Sequence, residues 1–198
     1  MSQIGRYRPL GVDNTTVFVD CNPSFSAYTE LSMLSVDALI VPCSSDGSSA
    51  RAIDNVGSLL YGITTGKDYG AANFPAKAAS FNMALPRIHS VVLSRSTQYN
   101  KKASKAFGAM FDQIKTRTAS LVKSAPQYFD KGGPAFADIP DSHSVAVVCS
   151  HQGMPLYKLK PGRHDVHDEK PQVNAEPLER YKDAMEQFLA PRRFKWVA

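Results

Sequence analysis

The chain has 198 residues, of which 43% are hydrophobic and 21% are charged, and its formal net charge is +5 at pH 7. This size and composition predict one globular domain with a sizeable core. A membrane span, a secretory signal and a disulfide framework are excluded, because the apolar runs are short, the N-terminus is polar and the 3 cysteines are scattered.

The first half of the chain alternates apolar strands with amphipathic helices. In order, it predicts strand Thr15–Val19, helix Ser24–Ser35, strand Asp37–Val41 ended by Pro42, polar loop Ser44–Ser49, a helix through 53–60, and a loop with a helix of uncertain limits in Gly62–Leu85. Within the first helix, the spacing of Tyr28, Leu31 and Leu34 predicts that they share one side.

The second half continues the alternation. It predicts strand Ile88–Leu93, amphipathic helix Ala103–Val122, a short strand Ala135–Ile139, polar surface loop Pro161–Pro177, and a closing helix from about Pro177 to Leu189. Apolar strands separated by helices indicate an α/β fold, with a mostly parallel sheet and helices on both faces.

One apolar strand ends in an acidic residue, Asp20, and is followed by Pro23 and Ser24. In P-loop NTPases, an acidic residue at such a strand end helps to hold magnesium on the nucleotide phosphates. The pattern Asp20-x-x-Pro23-Ser24, then a helix, then a strand ending in Val41-Pro42, resembles the Walker B region of the ParA/MinD family of P-loop ATPases.

The resemblance continues downstream in the same order and spans nearly all of Thr15 to Ala190. The segments that carry it are Ile88–Arg95 (the strand near the adenine base), Ile139–Ser142 (the Ile-Pro loop), His151–Leu156 (the Gly-x-Pro segment) and Glu179–Leu189 (the closing helix). The valines of Ser142–Ser150 favour a strand by propensity. The family pattern makes that segment helical, and we expect a helix there.

The resemblance implies a nucleotide site and a biological role. The site would comprise Asp20 (the catalytic Walker B residue, touching magnesium through water), Pro23, Pro42, Ser94, Arg95, Pro140 and Asp141. Full-length members of the family use ATP and Mg²⁺, bind DNA nonspecifically as nucleotide-dependent homodimers, and move plasmids or chromosomes under a ParB-like activator. It also implies a cytoplasmic, nucleoid-associated protein without stable membrane insertion.

The phosphate-binding loop itself is missing from the sequence. The pattern Gly-x-x-x-x-Gly-Lys-[Ser/Thr] should precede Asp20, and it does not. Gly62–Asp68 and Lys131–Pro134 only imitate it, and a turn is the plain interpretation of both. We therefore expect one incomplete ParA-like domain over 1–198, lacking the first strand–P-loop–helix unit, with an N-terminal segment 1–14 and a basic tail 190–198. No cofactor and no ATP hydrolysis are expected of this chain alone.

Basic residues cluster at Lys101, Lys102, Lys105 and Lys115, which suggests contact with DNA phosphates. A solvated helix face is an equally good interpretation. His164 and His167 are best explained as solvated loop residues. Three hypotheses stay open: a partition ATPase, a nucleotide-free module that binds DNA or protein, and a MinD-like protein that touches lipid through its basic, aromatic tail.

Overall fold

The computed structural model describes residues 17–21, 26–44, 47–63, 74–96, 98–99, 102–103, 105–130 and 133–189. Its helices are α1 (Ala27–Leu34), α2 (Gly47–Tyr61), α3 (Phe74–Ser80), α4 (Lys105–Ser124), α5 (Ser144–Gln152) and α6 (Ala175–Leu189). Its strands are β1 (Ala38–Cys43), β2 (Arg87–Ser96), β3 (Gln98–Tyr99), β4 (Lys102–Ala103), β5 (Ala135–Pro140), β6 (Gly162–Arg163) and β7 (Gln172–Val173). Short 3₁₀ helices lie at Pro126–Tyr128 and Leu156–Lys158.

The central sheet has three parallel strands in the order β1-β2-β5. This confirms the strands predicted at Asp37–Val41, Ile88–Leu93 and Ala135–Ile139. Pro42 does not end β1 as expected, but lies within it, opposite Val92. A proline, which has no N–H group, is tolerated there because no second described strand pairs with β1 on its other side.

Helices cover both faces of the sheet, as predicted. Val91 and Leu93 pack into a core with Ile53 of α2 and Ile114 of α4. Val92, whose side chain points to the opposite face, packs instead with residues of β5 and α6. Right-handed crossovers that advance in one direction along a sheet leave their helices on the same face. This explains why α2 and α4 share one face, and α6 packs on the other.

The contact between α2 and α4 depends on a small residue. A Cβ atom at Gly57 would lie 2.8 Å from Cδ1 of Leu121, so only glycine permits this approach without a shift of the leucine. An ion pair between Arg117 of α4 and Asp54 of α2 flanks the contact. The predicted helix Ala103–Val122 is confirmed with small shifts, because Ala103 belongs to β4 and the helix continues to Ser124.

The strand predicted at Thr15–Val19 is wrong over its described residues. Residues 17–21 carry no regular structure, and Val17, Phe18 and Val19 are 67%, 67% and 41% exposed. Apolar sequence forms a buried strand only where a neighbour completes its hydrogen bonds and other elements cover its faces. None of the described strands pairs with this segment.

Helix α1 is confirmed as a helix, and of the three residues predicted to share one side only Leu34 packs against the core. Ser26 caps it, its Oγ accepting a hydrogen bond from the backbone N–H of Thr29 at 3.5 Å. Tyr28 is 82% exposed and Leu31 is 48% exposed, whereas Thr29 is buried. Because helical spacing defines several stripes, the neighbouring elements decide which one faces the core.

Helix α5 confirms the prediction made for Ser142–Ser150 against strand propensity. Val145 and Val148, three residues apart, lie buried against Leu159, Val173 and Leu178. Gly153 ends the helix in the left-handed conformation with φ of 59°. Tertiary packing therefore overrides the β preference of the valines.

The segment predicted as loop Pro161–Pro177 is more ordered than expected. β6 and β7 form an antiparallel pair in it, and Val173 is fully buried. α6 begins at Ala175, two residues before the predicted start, and buries Leu178. Among the described helices, none is long and apolar enough to cross a membrane.

Candidate functional site

The carboxyl ends of the three parallel strands meet at one edge of the sheet. The hydroxyl of Ser94, at the end of β2, donates to the carbonyl of Cys43 at the end of β1 over 3.3 Å. The backbone N–H of Asp141 donates to the carbonyl of Ser96 over 3.1 Å. Ligands of open α/β sheets bind at this edge. The fold thus places Pro42, Ser94, Arg95, Pro140 and Asp141 at or near this one edge of the sheet.

An irregularity in β2 shapes this edge. Leu93 pairs with Asp138, and Ser96 with Pro140, so β2 contains one residue more than β5 over this stretch, which is a β-bulge. Arg95 lies in the extra step with a positive φ of 57° and is exposed. The bulge turns Ser96 inward, where its hydroxyl donates to the carboxylate of Asp138. Sequence reasoning missed this buried pair, which no spacing pattern signals.

The loop that follows β1 is tied to the first turn of α2. The backbone N–H of Ser44 donates to Oγ of Ser49 over 3.0 Å, and the two hydroxyl oxygens lie 2.9 Å apart. The polar loop predicted at Ser44–Ser49 is therefore shorter than expected, because α2 already begins at Gly47. Its serines connect the strand to the helix at the same sheet edge.

The residue expected to hold magnesium is not delivered to this edge by a strand. Asp20 is exposed and lies in the segment without regular structure, and Pro23 is outside the described residues. The Walker B interpretation needs a buried strand that ends beside β1. Residues 17–20 do not meet this requirement, because a segment without a partner strand has no hydrogen bonds to keep it in the sheet.

The predicted DNA-binding lysines are partly described. Lys105 begins α4 and is exposed; Lys102 lies in β4, with its side chain outside the described atoms, as is the whole of Lys101. The ammonium group of Lys115 is 3.5 Å from a carboxylate oxygen of Asp112 and 4.6 Å from the ring centre of Phe111. Lys123 adds a further exposed cation near the end of the helix.

The lysines form a long basic surface along α4. From Lys105 to Lys123 the helix rises about 27 Å, at about 1.5 Å per residue. Asp112 is the one acidic residue of α4. Arg117, on another side of the helix, is committed to Asp54 and does not belong to this surface.

Two groups near Asp141 have shifted acid–base equilibria. Burial raises the pKa of Tyr181, and the neighbouring Cys149 and Asp141 raise it further. Burial also raises the pKa of the Cys149 thiol, although Lys182 acts in the opposite direction. Both groups therefore stay protonated at neutral pH, which makes Cys149 a poor nucleophile.

A polar cluster at the opposite, amino end of β2 also escaped sequence reasoning. Asp130 accepts from Nδ1 of His89 over 2.9 Å and pairs with Arg87 at 3.1 Å. Ile88 forms a parallel bridge with Phe129, so the cluster fastens the start of β2 to the segment that follows α4. A histidine inside an apolar strand was the available signal. The cluster and Ser94 lie at opposite ends of β2, so the cluster is not part of the candidate site.

Of the two sequences that imitate a phosphate loop, the structure describes residues 62–63 and 133–134, and both glycines have a positive φ. Gly62 follows α2 with φ of 66°, and Gly133 has φ of 85° and donates its N–H to the carbonyl of Asp130. His164 contacts the carbonyl of Lys160 through Nε2 at 2.8 Å, and the rings of His151 and His167 are 4.4 Å apart. No group of three His, Cys, Asp or Glu side chains suited to a metal occurs among the described residues.

Comparisons of the chain with protein families, with curated proteins and with solved structures found no match. The resemblance to ParA/MinD-type ATPases thus depends on the residues quoted from the sequence. The polar groups at this sheet edge include the exposed Arg95, the hydrogen-bonded hydroxyls of Ser44, Ser49, Ser94 and Ser96, and the carboxylates of Asp138 and Asp141.

Proposed function

We propose that this chain is part of a ParA-like partition ATPase, in which it supplies the base-side edge of the sheet and a surface for nonspecific DNA binding. The basic surface of α4 is the observation that carries this proposal. Lys105, Lys115 and Lys123 are exposed on that helix, with Asp112 as its one carboxylate. Cations on a rigid helix attract the phosphate backbone of any duplex sequence.

The order of the elements supports the family assignment within this proposal. A strand, a helical crossover, a second strand, another crossover and a third strand follow in the sequence that the family motifs require. The end of β5 and Asp141, which follows it, lie beside the end of β2, joined through the N–H of Asp141 and the carbonyl of Ser96. In the proposed full-length protein, this edge faces the adenine base while a separate unit binds the phosphates with Mg²⁺.

The remaining family properties belong to the same proposal. They are a homodimer that depends on ATP, a ParB-like activator and association with the nucleoid. The test of the nucleotide unit is genetic: an in-frame Lys-Gly-Gly-x-Gly-Lys-Thr upstream of the Met1 codon supports an ATPase. A stop codon directly upstream favours the second candidate, a nucleotide-free module. This module would bind DNA through the same α4 surface, or bind a protein through the surfaces of α4 and the sheet.

DNA binding is tested by gel shifts at low salt with the charge-reversal variant Lys105→Glu/Lys115→Glu. We expect a lower affinity for any duplex, and a log–log salt slope less negative by about 2 units, at about 0.9 per lost phosphate contact. The variant should keep the far-ultraviolet circular dichroism of the wild type, because both side chains are exposed.

The matched control is Lys158→Glu/Lys160→Glu. Both lysines are exposed, and Lys158 lies over the ring of Tyr157 at 5.8 Å, much as Lys115 lies over Phe111. The control changes the net charge by the same amount at a different surface. Equal affinities of the two variants for DNA would show that α4 is only a solvated helix face.

A further inference from the structure

A groove of about 370 Å³ lies between the outer edge of β5 and α6. β5 pairs with β2 on its inner side, and no other described strand pairs with it. Phe188 contributes aromatic surface to the groove, and Phe136 also lines it, although its ring packs edge-on against Phe111. An unpaired strand edge beside aromatic surface is a place where another extended segment can dock.

The groove is acidic although the chain as a whole is basic. Its lining includes Glu176, Glu179 and Asp183 of α6, against the single arginine Arg180; Asp138 also lines it, with its carboxylate bonded to Ser96. Arg180 is held by Glu176 at 2.6 Å. Glu179 and Asp183, one helical turn apart on α6, are both exposed. The occupant that this surface fits carries cations at short intervals.

The chain itself contains such a segment, directly after α6. The helix ends at Leu189, and the residues that follow, outside the described part, read Ala-Pro-Arg-Arg-Phe-Lys-Trp-Val-Ala. Pro191 is incompatible with continuation of the helix. In an extended chain, Arg193 and Lys195 would point to one side and Phe194 and Trp196 to the other. This alternation matches a groove with both carboxylates and aromatic surface.

The dimensions allow the segment to fold back along its own helix. Phe188, the last residue but one of α6, already lines the groove. Glu179 lies about 15 Å before the helix end, at about 1.5 Å per residue. Six residues of extended chain span about 20 Å, so the segment through Lys195 reaches Glu179.

We propose that the groove between β5 and α6 is the docking site of the basic and aromatic segment Arg192–Trp196 of the same chain. Its cations lie against Asp183 and Glu179, and an aromatic ring packs on Phe188. While docked, the segment is withheld from DNA and lipid. This proposal concerns a surface separate from α4 and does not depend on the partition function.

Trp196 reports directly on docking, because it is the only tryptophan of the chain. The measurement is acrylamide quenching of its fluorescence in the full chain, with a free peptide of residues 190–198 as the undocked reference. We expect a smaller quenching constant and a blue-shifted emission maximum in the full chain. In Asp183→Lys, loss of one ion pair should lower the docked-to-undocked ratio roughly fivefold, and the quenching constant should rise toward that of the peptide.

The matched control is Glu186→Lys, on the same helix and exposed, but outside the groove. It should quench like the wild type. Asp183→Lys combined with Arg193→Glu should recover protection, because one pair of charges is exchanged across the groove. Circular dichroism of each variant verifies that the fold is retained.

Four results would overturn the proposal. The first is a wild-type quenching constant equal to that of the peptide, and the second is an equal effect of Asp183→Lys and Glu186→Lys on the quenching constant. Protection that increases with protein concentration would assign the groove to the tail of a second copy. Protection that appears only with duplex DNA or anionic vesicles would assign the tail to those surfaces.

Discussion

Two short segments of similar sequence have opposite environments in this protein. Val17-Phe18-Val19-Asp20 and Val91-Val92-Leu93-Ser94 each join three apolar residues to a polar one. The apolar residues of the first are 67%, 67% and 41% exposed, and those of the second are 0%, 6% and 0% exposed. The second lies between β1 and β5 with helices on both faces, whereas no described strand pairs with the first.

The comparison shows that a motif works only if its neighbours position it. The first segment has the pattern that resembles a Walker B strand, yet no strand brings Asp20 to the sheet edge. The second ends at Ser94, whose hydroxyl is bonded to the carbonyl of Cys43. Hydrogen bonds and burial from both sides, and not apolar sequence alone, place a polar residue at a defined point.

The largest expected effect is on stability. Leu93→Ala should lower the free energy of unfolding by about 2–5 kcal/mol, because it leaves a cavity between α2, α4 and the sheet. Phe18→Ala should change it by no more than about 0.5 kcal/mol, since the ring is already exposed. Urea denaturation of both variants measures the difference. A cost for Phe18→Ala similar to that for Leu93→Ala would mean that residues 17–20 are packed in solution.

A smaller effect is expected at high pH, where a buried and an exposed tyrosine should differ. Burial raises the pKa of Tyr61, and Tyr128, stacked on it at 4.0 Å, raises it further. The phenol of Tyr61 also donates to the carbonyl of Pro86 over 2.8 Å. A group whose pKa is higher in the folded than in the unfolded protein contributes to the free energy of unfolding. This contribution is complete below the unfolded pKa of 10.0 and is lost as pH rises through the folded pKa.

We therefore expect the urea midpoint to fall as pH rises above the ordinary tyrosine pKa. Tyr61→Phe should lower stability at neutral pH, by removal of the hydrogen bond to Pro86, and should also weaken this alkaline loss. Tyr28→Phe, on the exposed side of α1, is the control and should follow the wild type at every pH. If the three proteins show the same alkaline decline, other groups cause it.

The smallest expected effect concerns Asp20 and nucleotide. Isothermal titration calorimetry of the isolated chain with ATP and Mg²⁺ should detect no binding in the micromolar range, because no sequence for a phosphate loop is present. Asp20→Ala should leave that result unchanged. Micromolar binding that disappears in Asp20→Ala would show that residues 17–20 do reach the nucleotide, and would remove the contrast with Val91–Ser94.

Sequence alone predicted the elements in which the spacing of apolar residues matches the pattern of burial in the fold. Strands β1, β2 and β5 are short segments rich in apolar residues, and α2, α4 and α6 have apolar residues at helical spacing, so local pattern and final environment agree. The exposed lysines of α4 follow from the same periodicity. The α5 helix was predicted only through the family pattern, since its valines favour a strand.

Tertiary structure decided the features that depend on residues far apart in sequence. Neighbouring elements decide three of these features. They are the exposure of Val17–Val19, the side of α1 that faces the core, and the acceptance of Pro42 within β1, which has no described strand on its other side. The same holds for the Ser96–Asp138 pair and for the acidic groove, whose walls come from β5 and α6. Burial and hydrogen bonding are properties of contacts, and a linear pattern specifies a contact only when its partner is a fixed number of residues away.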